Sequence, residues 1–182
     1  MNAHAVIDSP IGPLYLEASP RGLHRLAFGS GRKFDDALSA APDGPADPGS
    51  AANLDEAVRQ LDDYFAGRRS DFDLALDLEG TEFRQKVWQA IAAIPYSETI
   101  SYAELAASAG SPNAYRAAGA ACGANPVAIV VPCHRVVGSD KGLHGFGGGL
   151  PTKRWLLDHE ASTAMASAAT KAASAARQPV LV

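Results

Sequence analysis

The tetrapeptide Pro132-Cys133-His134-Arg135 ends an apolar run at 126–131 and constrains this chain more than any other feature. A short apolar run is typical of a buried strand, and Pro132 stiffens the backbone directly before the polar residues. A buried strand does not require a thiol beside an imidazole and a guanidinium, so the pattern predicts a fixed, reactive thiolate at Cys133. The alternative is a structural cysteine followed by a surface histidine, because free cysteine is among the most often buried residue types.

Length and cysteine content limit the remaining possibilities. The 182 residues, 47% of them hydrophobic, suffice for one large core or two small ones. No apolar stretch approaches the roughly 20 residues of a membrane span, and the N-terminus lacks a secretory signal pattern, so we expect a cytoplasmic protein. The two cysteines, Cys122 and Cys133, fit neither a disulfide framework nor a four-ligand zinc set. We therefore expect a free Cys133 thiol and no metal or other cofactor.

The net charge of −4 conceals an asymmetry between the two parts of the chain. Residues 1–79 hold 7 Lys/Arg against 14 Asp/Glu, whereas residues 80–161 hold 7 against 6. Only the second part suits a polyanion, and it is barely basic. Any binding of nucleic acid should therefore depend on a few placed contacts rather than on a strong positive field.

Residues 1–79 are predicted to form a small mixed domain with antiparallel strands. Strands are expected at 5–18 and 22–28, and a loop at 39–50. A helix is expected next, with Gly67 as its stop. Its apolar face repeats at helical spacing, at Leu54, Val58, Leu61 and Phe65. Strict alternation of apolar and polar residues at 71–78 then predicts a half-buried strand. The expected fold class is α/β (α+β).

Residues 80–161 are predicted to form a winged-helix-like domain. Thr81 is the expected N-cap of one helix, and Ser101 and Glu104 form a capping-box pattern for a second. A third helix is expected at 111–122. The second and third helices suggest a helix-turn-helix, although the pattern alone favours an ordinary αα-hairpin. The Ala-rich tail at 162–182 is predicted to be disordered rather than a frayed helical extension.

Three segments of the second domain resemble one known family. They are Arg116 to Pro126, the Pro-Cys-His-Arg core, and the glycine-rich 145–149 followed by Lys153 to Glu160. Together they resemble the O6-alkylguanine-DNA alkyltransferases, the methylated-DNA–protein-cysteine methyltransferases. The likeness is continuous from about Thr81 to Glu160.

The resemblance implies direct DNA repair. A methyl or larger alkyl group would move from O6-alkylguanine, and from O4-alkylthymine, in double-stranded DNA to Cys133. A soft thiolate attacks such a carbon readily, and the thioether that forms is a poor leaving group, so each molecule would act once. The protein is also expected to be a monomer. One alternative is a sensor or regulator that binds the lesion without repairing it, although relatives of that kind lack the active cysteine. Another is a Cys-His-Glu hydrolase, which would need repeated turnover.

The resemblance also assigns the catalytic roles. Cys133 is the acceptor, and His134 acts on it through water while Glu160 orients the imidazole. Because adjacent strand residues point to opposite faces, direct proton transfer from Cys133 to His134 is in question. Tyr102 would donate to the guanine, and Asn125 would hold the active-site turn. Arg135 looks structural.

The resemblance places the DNA contacts on the third predicted helix. Arg116 would fill the space of the extruded nucleotide, since a target atom inside a stacked duplex is out of reach. The neighbouring DNA-binding residues are Tyr115, Ala117 and Gly119. The substrate pocket is formed by Phe146, Val136, Gly147 and Gly148. The chain departs from the family at Phe146, where tyrosine is usual, and at Tyr115, where a small residue is usual.

Overall fold

An antiparallel sheet of three strands opens the chain. The protein is described by a computed structural model that covers residues 1–29 and 32–175. The strands are β1 (Ala3–Ile7), β2 (Leu14–Ser19) and β3 (Gly22–Phe28), in the spatial order β1-β2-β3. The mixed α/β class with a small antiparallel sheet is confirmed.

The single strand expected at 5–18 is wrong, because a turn divides it into β1 and β2. Gly12 adopts φ 96°, in the left-handed region that favours glycine, and its N–H donates to the Ser9 carbonyl at 3.0 Å. Pro10 and Pro13 lie in the same turn and cannot donate to a ladder. The apolar Ile11 between them hides this turn from a reading based on hydropathy.

Two helices follow the sheet, α1 (Arg32–Ser39) and α2 (Pro48–Phe65). The sequence does not predict α1. The loop predicted at 39–50 is too long, because α2 already begins at Pro48. Asp47 caps α2 by accepting from the Gly49 N–H at 2.8 Å, and Pro48 occupies the first turn, where its missing N–H costs nothing. The stop at Gly67 agrees with the structure, in which that residue has φ 69°.

The strand expected at 71–78 is an extended segment rather than a strand. It makes one bridge, between Leu76 and Leu23, with hydrogen bonds from the Leu23 N–H to the Ala75 carbonyl at 2.9 Å and from the Asp77 N–H to the Leu23 carbonyl at 3.0 Å. The predicted alternation is nevertheless real. The apolar residues pack on the core, and they are Phe72, Leu74, Leu76 and Leu78.

The second half is helical. It contains α3 (Glu82–Ala92), α4 (Tyr102–Ser108) and α5 (Tyr115–Gly123), which pack on one another. The N-cap at Thr81 and the capping box of Ser101 and Glu104 are both formed as predicted. The helix expected to start at 111 begins only at Tyr115, because Ser111 accepts from the Ala114 N–H at 2.9 Å in a turn around Pro112.

The segment around Cys133 joins this helical part to the C-terminal helix. A 3₁₀ turn at Cys133–Arg135 leads into β5 (Val136–Val137), which pairs in parallel with β4 (Ile100–Ser101). The last helix, α6, spans Gly149–Ala175. Disorder from residue 162 is therefore wrong as far as Ala175, because the small alanine side chains favour a continuing helix. Residues 176–182 lie outside the described residues.

One contiguous core underlies both halves of the chain. Buried side chains from the sheet, such as Leu16, belong to the same cluster as Leu61 of α2, Ile91 of α3, Leu105 of α4 and Leu156 of α6. A smaller cluster around Tyr15 lies under α1. The shared core thereby links α2 to the C-terminal helix.

Candidate active site

Cys133 opens the 3₁₀ turn and is buried, with 7% of its surface exposed. The apolar run before it is a turn and not a strand, with isolated bridges from Val127 to Leu26 and from Ala128 to Val131. Ile129 adopts φ 73°, a left-handed conformation that is rare for a β-branched residue. The expectation that Cys133 and His134 point to opposite faces of a strand is therefore wrong, because no strand is present there.

Asn125 fastens this turn from inside. Its side-chain amide donates to the Val131 carbonyl at 2.8 Å, and its side-chain oxygen accepts from the Val127 N–H at 3.1 Å. These bonds tie the two ends of the apolar run together directly before Pro132. Asn125 itself is buried, so both bonds are shielded from water.

The surroundings of Cys133 favour its thiolate. The Cys122 thiol lies beside it, with Sγ 4.0 Å from the Cys133 carbonyl oxygen. A hydrogen bond from the Cys122 thiol to the Cys133 side chain lowers the pKa of Cys133 against the effect of burial. The side chain of Asn125 and the positive charge of Lys153 act in the same direction. The same hydrogen bond, together with burial, raises the pKa of Cys122. Of the two thiols, Cys133 is therefore the one whose surroundings favour the thiolate, and Cys122 stays a neutral donor.

Behind the turn, His134 and Glu160 form a buried pair. Nε2 of His134 lies 2.7 Å from Oε1 of Glu160, and neither side chain is exposed. Arg135 donates to the same carboxylate through Nε at 2.9 Å and Nη2 at 3.0 Å. Burial opposes ionisation of Glu160, but the hydrogen bonds from His134 and Arg135 and the positive charge of Arg135 lower its pKa to about 2.

The buried pair favours the neutral form of the His134 imidazole. Burial lowers the pKa of His134 in spite of the hydrogen bond to Glu160. Since Nε2 donates to Glu160, Nδ1 carries the free lone pair, and Nδ1 has no hydrogen-bond partner among the described residues. The imidazole can thus accept a proton at Nδ1 while Glu160 stabilises the imidazolium that forms.

A cavity of about 510 Å³ opens in front of the thiol. Its wall includes Phe28, Tyr102, Cys122, Cys133, Phe146 and Gly147. The rings of Phe28 and Phe146 lie 5.1 Å apart between centroids, and they give the cavity an apolar, aromatic side. Burial and the neighbouring cysteines raise the pKa of Tyr102 to about 12, so that its hydroxyl stays protonated and able to donate.

Three of the four predicted DNA-binding residues lie on the exposed side of α5. Tyr115, Arg116 and Ala117 are exposed, and the Arg116 guanidinium carbon is 5.7 Å from the centroid of the Tyr115 ring. Gly119 faces inward instead. A Cβ there would lie 3.6 Å from the Tyr102 ring, so a larger residue would press on the cavity wall. The helix therefore presents a cation outward and a glycine toward the cavity.

The remaining predicted pocket residues are dispersed around the cavity. Gly147 lines it, whereas Gly148 packs under Phe28, where a Cβ would approach the ring to 2.8 Å. Val136 is fully buried behind the site, with its N–H donating to Cys133 and its carbonyl accepting from Lys153 Nζ at 2.6 Å. The structure thus separates Val136 from the residues that form the cavity wall.

Four residues near the site receive no role from the sequence. Lys153 is fully buried and donates to the carbonyls of Val136 and His144, and Cys122 borders the thiol. Tyr64 and the Ser97 N–H both donate to Glu160. Tyr64 fits the helical apolar spacing of α2 only as a core residue, so no local signal marks its hydroxyl as part of the site.

Comparison with known proteins agrees with this site. A family model described as the DNA binding domain of 6-O-methylguanine DNA methyltransferase matches residues 82–162, and one described as the ribonuclease-like domain of the same protein matches residues 2–78. The chain is 46% identical over 156 residues to a methylated-DNA–protein-cysteine methyltransferase of Methanosarcina barkeri, covering 85% of this chain and 94% of that protein.

Solved structures give the same result. The crystal structure of the Mycobacterium tuberculosis O6-methylguanine methyltransferase matches with a TM-score of 0.78 and 45% identity, over 90% of this chain and 94% of that one. The structure of M. tuberculosis OGT in complex with DNA matches with a TM-score of 0.76 and 45% identity, over 88% and 93%.

Fold and site together define a DNA repair protein that accepts an alkyl group on a cysteine. The chain belongs to the 6-O-methylguanine DNA methyltransferase family. The resemblance found in the sequence is thereby confirmed, and DNA is the protein's partner. In the described part of the chain, no helix has the length and apolarity to cross a membrane.

Proposed function

We propose that this protein repairs O6-alkylguanine, and O4-alkylthymine, in double-stranded DNA by moving the alkyl group once to Sγ of Cys133. The observation that carries the proposal is the position of Cys133, a buried thiol with a lowered pKa that borders an aromatic-sided cavity. A soft thiolate in such a cavity suits attack on an alkyl carbon and is poorly suited to activating water.

The proposed reaction begins with loss of the thiol proton. The proton passes through a water molecule to Nδ1 of His134, and Glu160 stabilises the imidazolium that forms. The thiolate then attacks the alkyl carbon, a carbon–sulfur bond forms, and the bond from that carbon to O6 breaks with its electron pair staying on the guanine. The protonated hydroxyl of Tyr102 on the cavity wall can donate to the leaving base, which stabilises the developing negative charge.

The alkylated base can reach Cys133 only after the base has left the duplex. Arg116 projects from α5 on the exposed side, and Gly119 of the same helix borders the cavity. Binding of α5 along the duplex would therefore bring the extruded base to the cavity while Arg116 fills the vacated space. Tyr115 and Ala117 are the further contacts that we assign to this docked state. We expect the protein to act as a cytoplasmic monomer.

The test is the stoichiometry of transfer from duplex DNA that carries O6-methylguanine with an isotopically labelled methyl group. The proposal predicts that label in the protein rises to one methyl per molecule and then stops, and that Cys133→Ala takes up none while still binding the DNA. Binding without uptake by the wild type would identify a lesion sensor. Release of free methanol over many cycles would identify a hydrolase.

A further inference from the structure

Glu160 receives a hydrogen bond from the first half of the chain. Tyr64, near the end of α2, is fully buried, and its hydroxyl donates to Oε1 of Glu160 at 2.9 Å. The same oxygen accepts from His134 Nε2 at 2.7 Å and from Arg135 Nη2 at 3.0 Å. The Ser97 N–H donates to the other oxygen at 3.0 Å. Of these donors, Tyr64 alone belongs to residues 1–79.

Tyr64 is itself firmly held against α6. Its carbonyl oxygen accepts from Nε2 of His159 at 2.9 Å, and its ring lies 5.3 Å from that imidazole between centroids. Further rings surround it, those of Phe65, Phe72 and Tyr96, with centroids at 5.4, 5.4 and 6.3 Å. Tyr64 therefore contacts two consecutive residues of α6, one through its backbone and one through its hydroxyl.

We propose that Tyr64 is a positioning residue through which α2 sets the location and the hydrogen-bonding strength of Glu160, and thereby the basicity of His134. The inference rests on the proposed function, in which His134 accepts the proton of Cys133. It assigns the first half of the chain a part in the chemistry besides its part in the shared core.

The direction of the effect follows from competition for one oxygen. A hydroxyl that donates to Oε1 withdraws negative charge that would otherwise stabilise the His134 imidazolium. Removing the hydroxyl leaves Glu160 a stronger partner for that cation, so the pKa of His134 should rise. It also leaves the carboxylate with one fewer contact to fix its position. The surrounding groups must be kept constant, and those that face His134 or Tyr64 are Arg135, Lys153, Glu160, Tyr96 and His159.

The experiment is Tyr64→Phe in the full chain, measured by single-turnover methyl transfer from O6-methylguanine duplex across pH. We expect the rate constant at neutral pH to fall about tenfold. We also expect the acid limb of the pH profile to move up by about one pH unit, the equivalent of one hydrogen bond to a charged group. DNA affinity should not change.

Tyr15→Phe is the matched control. Tyr15 is also fully buried in the first half, and its hydroxyl lies 3.2 Å from the carboxylate of Glu17, in the separate cluster under α1. This variant loses the same chemical group next to the same type of partner. It should leave the rate constant and the pH profile unaltered.

A second measurement separates this inference from the proposed function. The imidazole of His134 is titrated by nuclear magnetic resonance in protein without DNA, where Tyr64→Phe should raise its pKa whether or not methyl transfer occurs. Absence of methyl uptake by the wild type would refute the proposed function alone. An unmoved His134 titration, with only the melting temperature lowered, would make Tyr64 a purely structural residue and overturn the inference.

Site-specific replacement of Tyr64 by 3-fluorotyrosine covers the case in which Tyr64→Phe does not fold. The fluorinated ring keeps its place in the core, and its more acidic hydroxyl is a stronger donor. The acid limb and the His134 titration should then move down in pH, opposite to Tyr64→Phe. Movement in the same direction, or none, would contradict the competition for Oε1.

Discussion

Nε2 of His134 lies 2.7 Å from Oε1 of Glu160, with both side chains fully buried. The two residues are 26 positions apart in sequence and come from different elements, the 3₁₀ turn and α6. Their contact therefore depends on the complete tertiary fold. It also links stability to pH, because a buried imidazole resists protonation and a hydrogen-bonded carboxylate resists it as well.

Acidification should destabilise the protein in two steps. The pKa of His134 is lowered from 6.5 by burial, so the unfolded chain binds this proton first as the pH falls below that value. The pKa of Glu160 is lowered from 4.5 to about 2, so its contribution to stability is complete above 4.5 and is lost toward 2. Urea unfolding followed from pH 8 downward measures both steps. His134→Gln should remove the upper step, and retention of that step would assign it to another group.

Cys122→Ala should raise the pKa of Cys133, because it deletes the hydrogen bond that most favours the thiolate. The check is the rate of Cys133 alkylation by iodoacetamide across pH, followed by peptide mapping. Cys122→Ser keeps a donor and should restore most of the wild-type profile. If Cys122→Ala and the wild type react with the same pH midpoint, the thiolate owes its stability to Asn125 and Lys153 instead.

Arg116→Ala should slow repair in duplex DNA by about tenfold or more, equivalent to about 1.4 kcal/mol of activation free energy. Reaction with a free O6-alkylguanine base should be affected much less, since a free base needs no extrusion. Arg154→Ala, which removes an exposed arginine from α6, is the control and should slow neither reaction. Equal losses of Arg116→Ala on both substrates would place the arginine's role in the fold or in the cavity.

Asn125→Ala should lower the free energy of unfolding by about 1–3 kcal/mol, because it leaves the buried Val131 carbonyl and Val127 N–H without their partner. The turn before Cys133 should loosen, and methyl transfer should slow in parallel. Urea unfolding and single-turnover kinetics report the two effects. Asn113→Ala, at an exposed position, serves as control. A stable but inactive Asn125→Ala would indicate a direct chemical role.

Local signals in the sequence predicted the elements that have local causes. The Thr81 cap, the capping box of Ser101 and Glu104, and the stop at Gly67 all depend on residues within one or two turns of helix. The strand that the apolar run at 126–131 predicts is wrong, because hydropathy cannot reveal that Asn125 folds the run back on itself through two side-chain bonds.

Contacts between distant parts of the chain explain the rest. The link from Tyr64 to Glu160 spans 96 positions, and the ammonium group of Lys153 reaches Val136 from the following helix. Neither contact has a signature in residue spacing, because each depends on how α2 and α6 pack over the shared core. The Ala-rich tail shows the converse error, since its low complexity predicts disorder although alanine favours a helix.

The central claim is that Cys133 receives the alkyl group. The most direct measurement is mass spectrometry of protease fragments after incubation of the full chain with duplex DNA that carries O6-methylguanine. The account predicts one added methyl group, confined to the fragment with Cys133 and absent in Cys133→Ala. A methyl group on Cys122, or an unmodified protein after the DNA has been repaired, would contradict it.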